Sequence, residues 1–348
     1  MAGPDYRGIQ ECYWQFGFET GSTANAMMLS PANATASTTV PTLGFLGYSS
    51  FPQVSVNNNP VPIFSAGAYR LLNSYQGVKD FSIRASMTIG NWQFMQLAMR
   101  NASVAGSSTY KGLPVLCLGF GSLSDPYYGV DNVDFNWRAR YALIKSLTFS
   151  YAVGRPIPVT VEFVPLYIET TTYSAPSITE SDMEDALVVA GGEVLGWDNL
   201  VWEPGGTDNS HWLTSVDVTF TNGIEPIGQR LNLGANNALS RVRRSLNPTS
   251  EAVSVSYGMA AELATALRDG SMTADLWGTV TLTADNTAAG GGSSMILTID
   301  HNRLAAESTA GGQNGQLLTW SASTLSGLIA ITGTGGTNNG SGFGTGTG

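Results

Sequence analysis

The order of elements legible between residues 79 and 203 recurs between residues 251 and 331, so the chain reads as one architectural unit written twice. The first copy opens with Phe81, Ile83, Ala85 and Met87 alternating with Ser82, Arg84 and Ser86, the period of a strand with one buried face. Between Asn91 and Arg100, Trp92, Met95 and Met99 fall on one stripe beside Leu97 and Ala98, which predicts a helix able to dock on a sheet. In the second copy Val253, Val255 and Tyr257 alternate with Ser254 and Ser256. Met259, Leu263, Ala266 and Leu267 then recur at helical spacing, with Gly270 to end the helix. Three apolar, β-branched segments follow each helix: 143–153, 159–168 and 194–202 in the first copy, then 276–282, 295–301 and 317–331 in the second. The copies match in order, not in identity, and residues 102–138 read as an insertion after the first helix.

Each copy is also expected to open with a hairpin. In the second, Trp212, Val216, Val218 and Phe220 lead into Asn222-Gly223, a strong hairpin signal, and Pro226 to Leu233 is the expected return. In the first, Cys12 to Phe18 supplies the outgoing strand, and residues 21–78 form a long Ser/Thr/Asn/Pro-rich loop of the length associated with functional loops or disorder. A polar break at Gly205-Gly206-Thr207 divides the chain into a first domain, 1–205, and a second, 206–331. Residues 332–348 are Gly, Thr, Asn and Ser around a lone Phe343, too little apolar surface to order themselves, so a flexible tail is expected there.

Hydrophobic residues make up 43% of the 348, enough for two real cores, while charged residues are only 12%, about half the usual ~25%. A polar but weakly charged surface is poorly protected against association, so much of it is expected to lie in contacts with copies of the same chain. Only Lys79, Lys111 and Lys145 accompany thirteen Arg, a residue favoured where guanidinium groups are held in interfaces. The net charge of −10 argues against gripping nucleic acid through its phosphates, although a polyanion passing such a surface would be weakly repelled. Cys12 and Cys117 are too few and too far apart for a disulfide framework or a zinc site, and with no signal peptide read at the start, two reduced thiols are expected. No apolar run is long enough to span a bilayer as a helix, so no membrane partner is expected.

The search for chemistry is mostly negative. His211 and His301 fall at an expected strand start and strand end, with no Cys or His at ligand spacing. Neither a nucleophile elbow, a P-loop nor a dinucleotide fingerprint occurs in a strand-turn-helix context. Gly290-Gly291-Gly292 reads as a hairpin turn. No catalytic residue, cofactor or metal is therefore expected. Two charged clusters stand out. Glu180, Asp182, Glu184 and Asp185 fit the acidic first turn of a short helix, Ser181 and Glu184 having capping-box spacing, or an acidic patch that meets a neighbour's arginines. Arg241, Arg243 and Arg244 fit a solvated basic loop, or the partner of that patch.

The segment Leu213-Thr-Ser-Val-Asp-Val-Thr-Phe-Thr-Asn-Gly223, followed by a loop, a strand, a helix and three strands, resembles the tail tube proteins of long-tailed bacteriophages. So do the opening Tyr13-Trp-Gln-Phe-Gly-Phe-Glu19 and the run Lys145-Ser-Leu-Thr-Phe-Ser150 leading through Gly154 to Pro158. The resemblance covers most of the chain in element order and rests on loose patterns. It implies a mainly β fold of two tandem β-sandwich or β-barrel domains, each with one flanking helix. It also implies rings of six domains, hence three chains, stacked into a hollow virion tail tube through which genome DNA passes. A loop from each domain would reach the adjacent ring, with residues 234–250 as one and residues 21–78 containing the other. Tape-measure and tail terminator proteins would be partners, and synthesis would occur in the host cytoplasm. The first-domain insertion and the Gly-rich tail depart from the family pattern.

On that reading the mechanism is physical: apolar strand positions turn into each domain and Ser, Thr, Asn and Asp turn to the lumen. Asp217 and Thr219, between Val216, Val218 and Phe220, are the lumen candidates, and the acidic excess predicts a net negative wall. Open sheet edges would be closed by neighbouring domains. Two other classes stay open. One is a β-sandwich carbohydrate-binding or adhesion module, for which the eight tryptophans argue weakly; the other is a glycosidase-like enzyme with carboxylates from distant parts of the chain.

Overall fold

The computed structural model describes residues 12–18, 44–45, 52–64, 71, 73–75, 77–88, 95, 97–99, 113–122, 136–152, 156–169, 200–204, 210, 213–229, 243–260, 276–285, 294–310, 319–326 and 328–334. The described part is mainly β, as expected.

In the first repeat, β1 (Cys12–Phe18) pairs with β7 (Leu116–Ser122) and with the short β2 (Gly44–Phe45). β7 pairs with the first half of β8 (Asn136–Ala152), whose second half pairs with β9 (Pro158–Val164). β9 pairs with β6 (Asp80–Thr88), and β6 with β3 (Gln53–Asn57). β10 (Tyr167–Glu169) prolongs the course of β9 along the first half of β8. Between β3 and β6 the chain makes a separate hairpin of β4 (Val61–Ile63) and β5 (Asn73–Tyr75).

The second repeat uses the same pairings in the same chain order. β11 (Leu200–Pro204) pairs with β14 (Leu276–Asp285), and β14 with the first half of β15 (Ser294–Ala310). The second half of β15 pairs with β16 (Thr319–Ser326), β16 with β13 (Arg243–Ala260) and β13 with β12 (Leu213–Gln229). β17 (Leu328–Thr334) prolongs β16 along β15, as β10 prolongs β9 along β8. Irregularities recur as well. β8 bulges at Arg140-Tyr141 against β7 and at Lys145 against β9, while β15 bulges at Asp300-His301 against β14 and at Ala305 against β16. Tyr141 to His301 and Lys145 to Ala305 are both 160 residues apart. Bulges re-aim a strand, and here each lies where a long strand passes from one set of partners to the next. Tyr141 adopts a φ of 52°, a left-handed conformation uncommon for a bulky side chain.

The strand correspondence expected from sequence is therefore displaced by one. β7 lies inside the segment 102–138 that reads as an insertion, so β7, β8 and β9 answer to β14, β15 and β16. β11 precedes the polar break at Gly205-Gly206-Thr207, yet it pairs with β14 of the second repeat.

The two repeats share one sheet. The second half of β8 pairs with β12 from Ser146–Thr221 to Ala152–Ser215, giving the order β3-β6-β9-β8-β12-β13-β16-β15, four strands from each repeat. Alternation decides its faces. Ile83, Ala85, Val161, Leu147, Phe149, Val216, Val218, Phe220, Val253 and Val255 lie on the buried face, none more than 4% exposed. A second layer covers them: Trp202 of β11 packs its ring 5.8 Å from that of Tyr257 on β13, and Val280, Leu282, Met295 and Leu297 complete the same core. From the first helix expected, Met95, Leu97 and Ala98 are buried in this core, and the Ala98 amide donates to the Met95 carbonyl at 3.3 Å. In the second, Met259 belongs to strand β13, and residues 261–270 lie outside the described residues.

Asn222-Gly223 is not a turn. β12 runs straight through it, with a register shift between Gly223 and Ile224, and stays paired with β13 as far as Gln229–Arg243. A Cβ at Gly223 would fall 2.3 Å from Ser250 Oγ and 2.7 Å from Thr249 Oγ1, so both hydroxyls would have to turn away to admit a side chain.

Candidate functional site

The exposed face of the eight-strand run is the surface on which the candidate lumen residues fall. Register places Ser86, Thr160, Thr148, Thr219 and Ser254 side by side across five consecutive strands. Thr148 and Thr219 join the two repeats through their hydroxyls, Oγ1 to Oγ1 at 3.0 Å. One row away, Ser150, Asp217 and Ser256 are opposite one another. Asp217 is exposed and Thr219 half-buried, while Val216, Val218 and Phe220 between and beside them are fully buried. Asp217 and Thr219 thus share a solvent-facing, hydroxyl-rich face, as expected from the alternation.

Charge on this face is clustered. Glu162 of β9 accepts from Lys145 Nζ at 2.9 Å and from Arg84 Nη2 at 3.2 Å, with Ser82 Oγ at 3.4 Å. Partial burial would raise the Glu162 carboxyl, but the hydrogen bonds and charges of Lys145 and Arg84 outweigh it and hold the group below its ordinary value. Lys145 reaches Glu162 because it is the bulged residue between Ile144 and Ser146. Sequence reading missed this cluster. Asp80, in step with Ser82 and Arg84 along β6, belongs to the same face, so among the described residues Asp80, Glu162 and Asp217 stand against Arg84 and Lys145.

A groove of about 360 Å³ opens at one end of the face, lined by Val56, Phe81, Val164, Leu166, Ile224 and Leu246. Leu246 is there because the prolonged β12–β13 pair reaches back over the first repeat, where it packs with Leu113, Val115, Tyr141, Leu143 and Tyr167. The β4–β5 excursion leaves the sheet at the same end, and its base is clasped by Asn59. The Asn59 Nδ2 donates to the Val78 carbonyl at 2.9 Å and to Asp80 Oδ2 at 2.5 Å. Beyond that clasp the excursion exposes Val61, Ile63, Phe64, Leu71 and Tyr75, each 45% or more. Large apolar side chains clustered on an exposed excursion are a contact surface in waiting.

The remaining candidates are dispersed or outside the description. Arg243 and Arg244 lie in strand β13 and not in a loop, Arg243 opposite Gln229; Arg241 lies outside the described residues. Glu180, Asp182, Glu184 and Asp185 also lie outside them, so the structure does not bring the acidic and basic clusters together. His211 and Gly290 to Gly292 lie outside as well, while His301 sits mid-strand at the bulge of β15 and not at a strand end. Among the described residues no group of three or more His, Cys, Asp or Glu converges as a metal site requires, and no helix is long and apolar enough to cross a membrane.

Comparison of the sequence with protein-family models and with curated proteins returns no match.

Proposed function

We propose that this chain is a structural virion protein that polymerises into stacked rings and forms the hollow tail tube conducting genome DNA in a long-tailed bacteriophage. The observation that carries the reading is the eight-strand run itself. It holds two copies of a four-strand set in one continuous sheet, apolar on one face and lined with hydroxyls on the other. A sheet repeated in this way twists and curves with every copy added, and closure removes its edges. Three chains supply six copies, each proposed to carry one flanking helix; from the segment expected to form it in the first repeat, Met95, Leu97 and Ala98 are buried in the core.

The face bearing Ser86, Thr160, Thr148, Thr219 and Ser254 then lines the pore. Short hydroxyl side chains, with carboxylates slightly outnumbering cations among the described residues of the face, offer a phosphate backbone no binding patch, which suits a conduit. The apolar β4–β5 excursion and the prolonged β12–β13 pair leave equivalent places in the two repeats, between β3 and β6 and between β12 and β13. They would contact the adjacent ring. Asp217 and Thr219 are assigned to the lumen; Arg241, Arg243, Arg244 and the acidic group at 180–185 are assigned to contacts between chains. Tape-measure and terminator proteins remain the partners proposed by resemblance.

Electron microscopy of the purified protein at rising concentration tests the reading, together with the mass of an isolated ring. Regular hollow filaments and a mass of three chains are expected. Absence of filaments at all concentrations overturns the tube, and six chains per ring overturns the role given to the repeat.

A further inference from the structure

The seam between β8 and β12 inside the chain specifies a seam between chains. The register of the two repeats matches residue for residue. Bulged Lys145 answers to Ala305, so Leu147, Thr148 and Phe149 of β8 answer to Glu307, Ser308 and Thr309 of β15. On the other side, Val54–Ile83 answers to Val218–Val255, so Val54, Ser55 and Val56 of β3 answer to Val218, Thr219 and Phe220 of β12. The edge of β8 that β12 fills has its counterpart in β15, where residues 304–310 pair, among the described residues, only with β16. β3, the counterpart of β12, pairs among the described residues only with β6.

Burial supports the missing neighbour. Phe220, in the seam, is fully buried, whereas its counterpart Val56 is 48% exposed; Val218 is fully buried, whereas Val54 is only half-buried. The four-strand sets are alike in pairing, so the difference lies in what stands beside β3.

We propose that the second half of β15 receives β3 of a second copy of this chain as an antiparallel partner, with Ser308 opposite Ser55 as Thr148 stands opposite Thr219. Thr309 then faces Val54 and Glu307 faces Val56, where the internal seam has Phe149 with Val218 and Leu147 with Phe220. The seam between chains is therefore held mainly by main-chain hydrogen bonds and hydroxyls. Without the two phenyl rings of the internal seam it is the weaker of the two. This inference rests on self-assembly and not on the tube or on DNA.

Disulfide trapping tests it, because directly opposed residues in antiparallel strands have Cα separations compatible with the bond. Ser55→Cys chains are mixed with Ser308→Cys chains under mild oxidation, with the unsubstituted protein as the background for Cys12 and Cys117. A covalent dimer found only in the mixture is expected. Thr148→Cys with Thr219→Cys in one chain serves as the control and should close within the chain at any concentration. Loss of the mixed dimer while that control closes overturns the seam, as does a dimer of Ser55→Cys chains alone or closure of Ser55→Cys/Ser308→Cys within one chain. Tubes without the mixed dimer would leave the tube reading standing and remove the seam. The mixed dimer without tubes would do the reverse.

Discussion

The side-chain amide of Asn222 donates to the carbonyl of Ile144 at 3.0 Å, and the same nitrogen donates to the carbonyl of Ala98 at 2.9 Å. Ile144 lies beside the bulge of β8, just past the last register pair with β12, and Ala98 follows the helical residue Met95 of the first repeat. A residue 2% exposed thus ties the second repeat to two elements of the first. Asn222→Ala leaves two buried carbonyls without this donor and should cost about 1–3 kcal/mol in denaturant unfolding. Asn222→Asp should be worse at neutral pH, since a carboxylate would face two carbonyl oxygens. Its folded pKa would be raised, so the variant should recover stability as pH falls toward the ordinary Asp value of about 3.9. An Asn222→Ala midpoint equal to that of the unsubstituted protein would show that the amide contributes nothing.

Glu162 gives a pH dependence of opposite sign. Its carboxyl is held below the ordinary value by Lys145 and Arg84, so its contribution is present above about pH 4.3 and is lost as pH falls through the folded value. The Arg84 and Lys145 side chains are 65% and 50% exposed, which limits the contribution to about 1 kcal/mol or less. Glu162→Gln should lower the urea midpoint at pH 7, and the two proteins should converge as pH falls below the folded value of the Glu162 carboxyl. Parallel pH profiles would mean that the cluster is electrostatically silent.

How much was legible follows from how each segment is buried. β6 and β13 have one wet and one dry face, so Phe81 to Met87 and Val253 to Tyr257 display the period of two that betrays a strand. β7 lacks that signal because Leu116, Cys117 and Leu118 are all fully buried; with both faces covered there is no alternation to read, and the strand passed for an insertion. Asn222-Gly223 carries local turn chemistry, but carbonyls 78 and 124 residues away claim the amide, and no window of sequence contains them. The polar face with Asp217 and Thr219 was legible from alternation. The Glu162 cluster was not, since Arg84 is 78 residues from Glu162 and the geometry depends on a bulge at Lys145.

Arg241, Arg243 and Arg244 are the basic residues proposed for contacts between chains. With Arg243 and Arg244 in the prolonged β13, where main-chain pairing with β12 does not depend on their side chains, reversal of all three to Glu should leave the chain folded. Filament formation should be abolished. The checks are circular dichroism for the fold and sedimentation for the polymer; normal filaments from the triple variant would remove these residues from the interface.

The lumen assignment is tested by charge. Asp217 is exposed and Thr219 half-buried, so Asp217→Lys with Thr219→Lys removes a carboxylate and adds two cations to that face without touching Val216, Val218 or Phe220 behind it. Both positions lie mid-strand in β12, where a long side chain extends into solvent and the ladder with β8 and β13 is kept by main-chain pairing. Loss of the Thr148–Thr219 hydroxyl contact should cost about 1 kcal/mol, small against the stability of a domain. Rings and filaments should therefore still form. If the face lines the pore, several ammonium groups per ring now meet the phosphates, and their attraction is strongest when salt is low and screened when it is high. DNA release through tubes carrying the variant should slow at low ionic strength and recover toward the unsubstituted rate as salt is raised. An unchanged rate at low salt, in tubes that assemble normally, would place this face away from the DNA path.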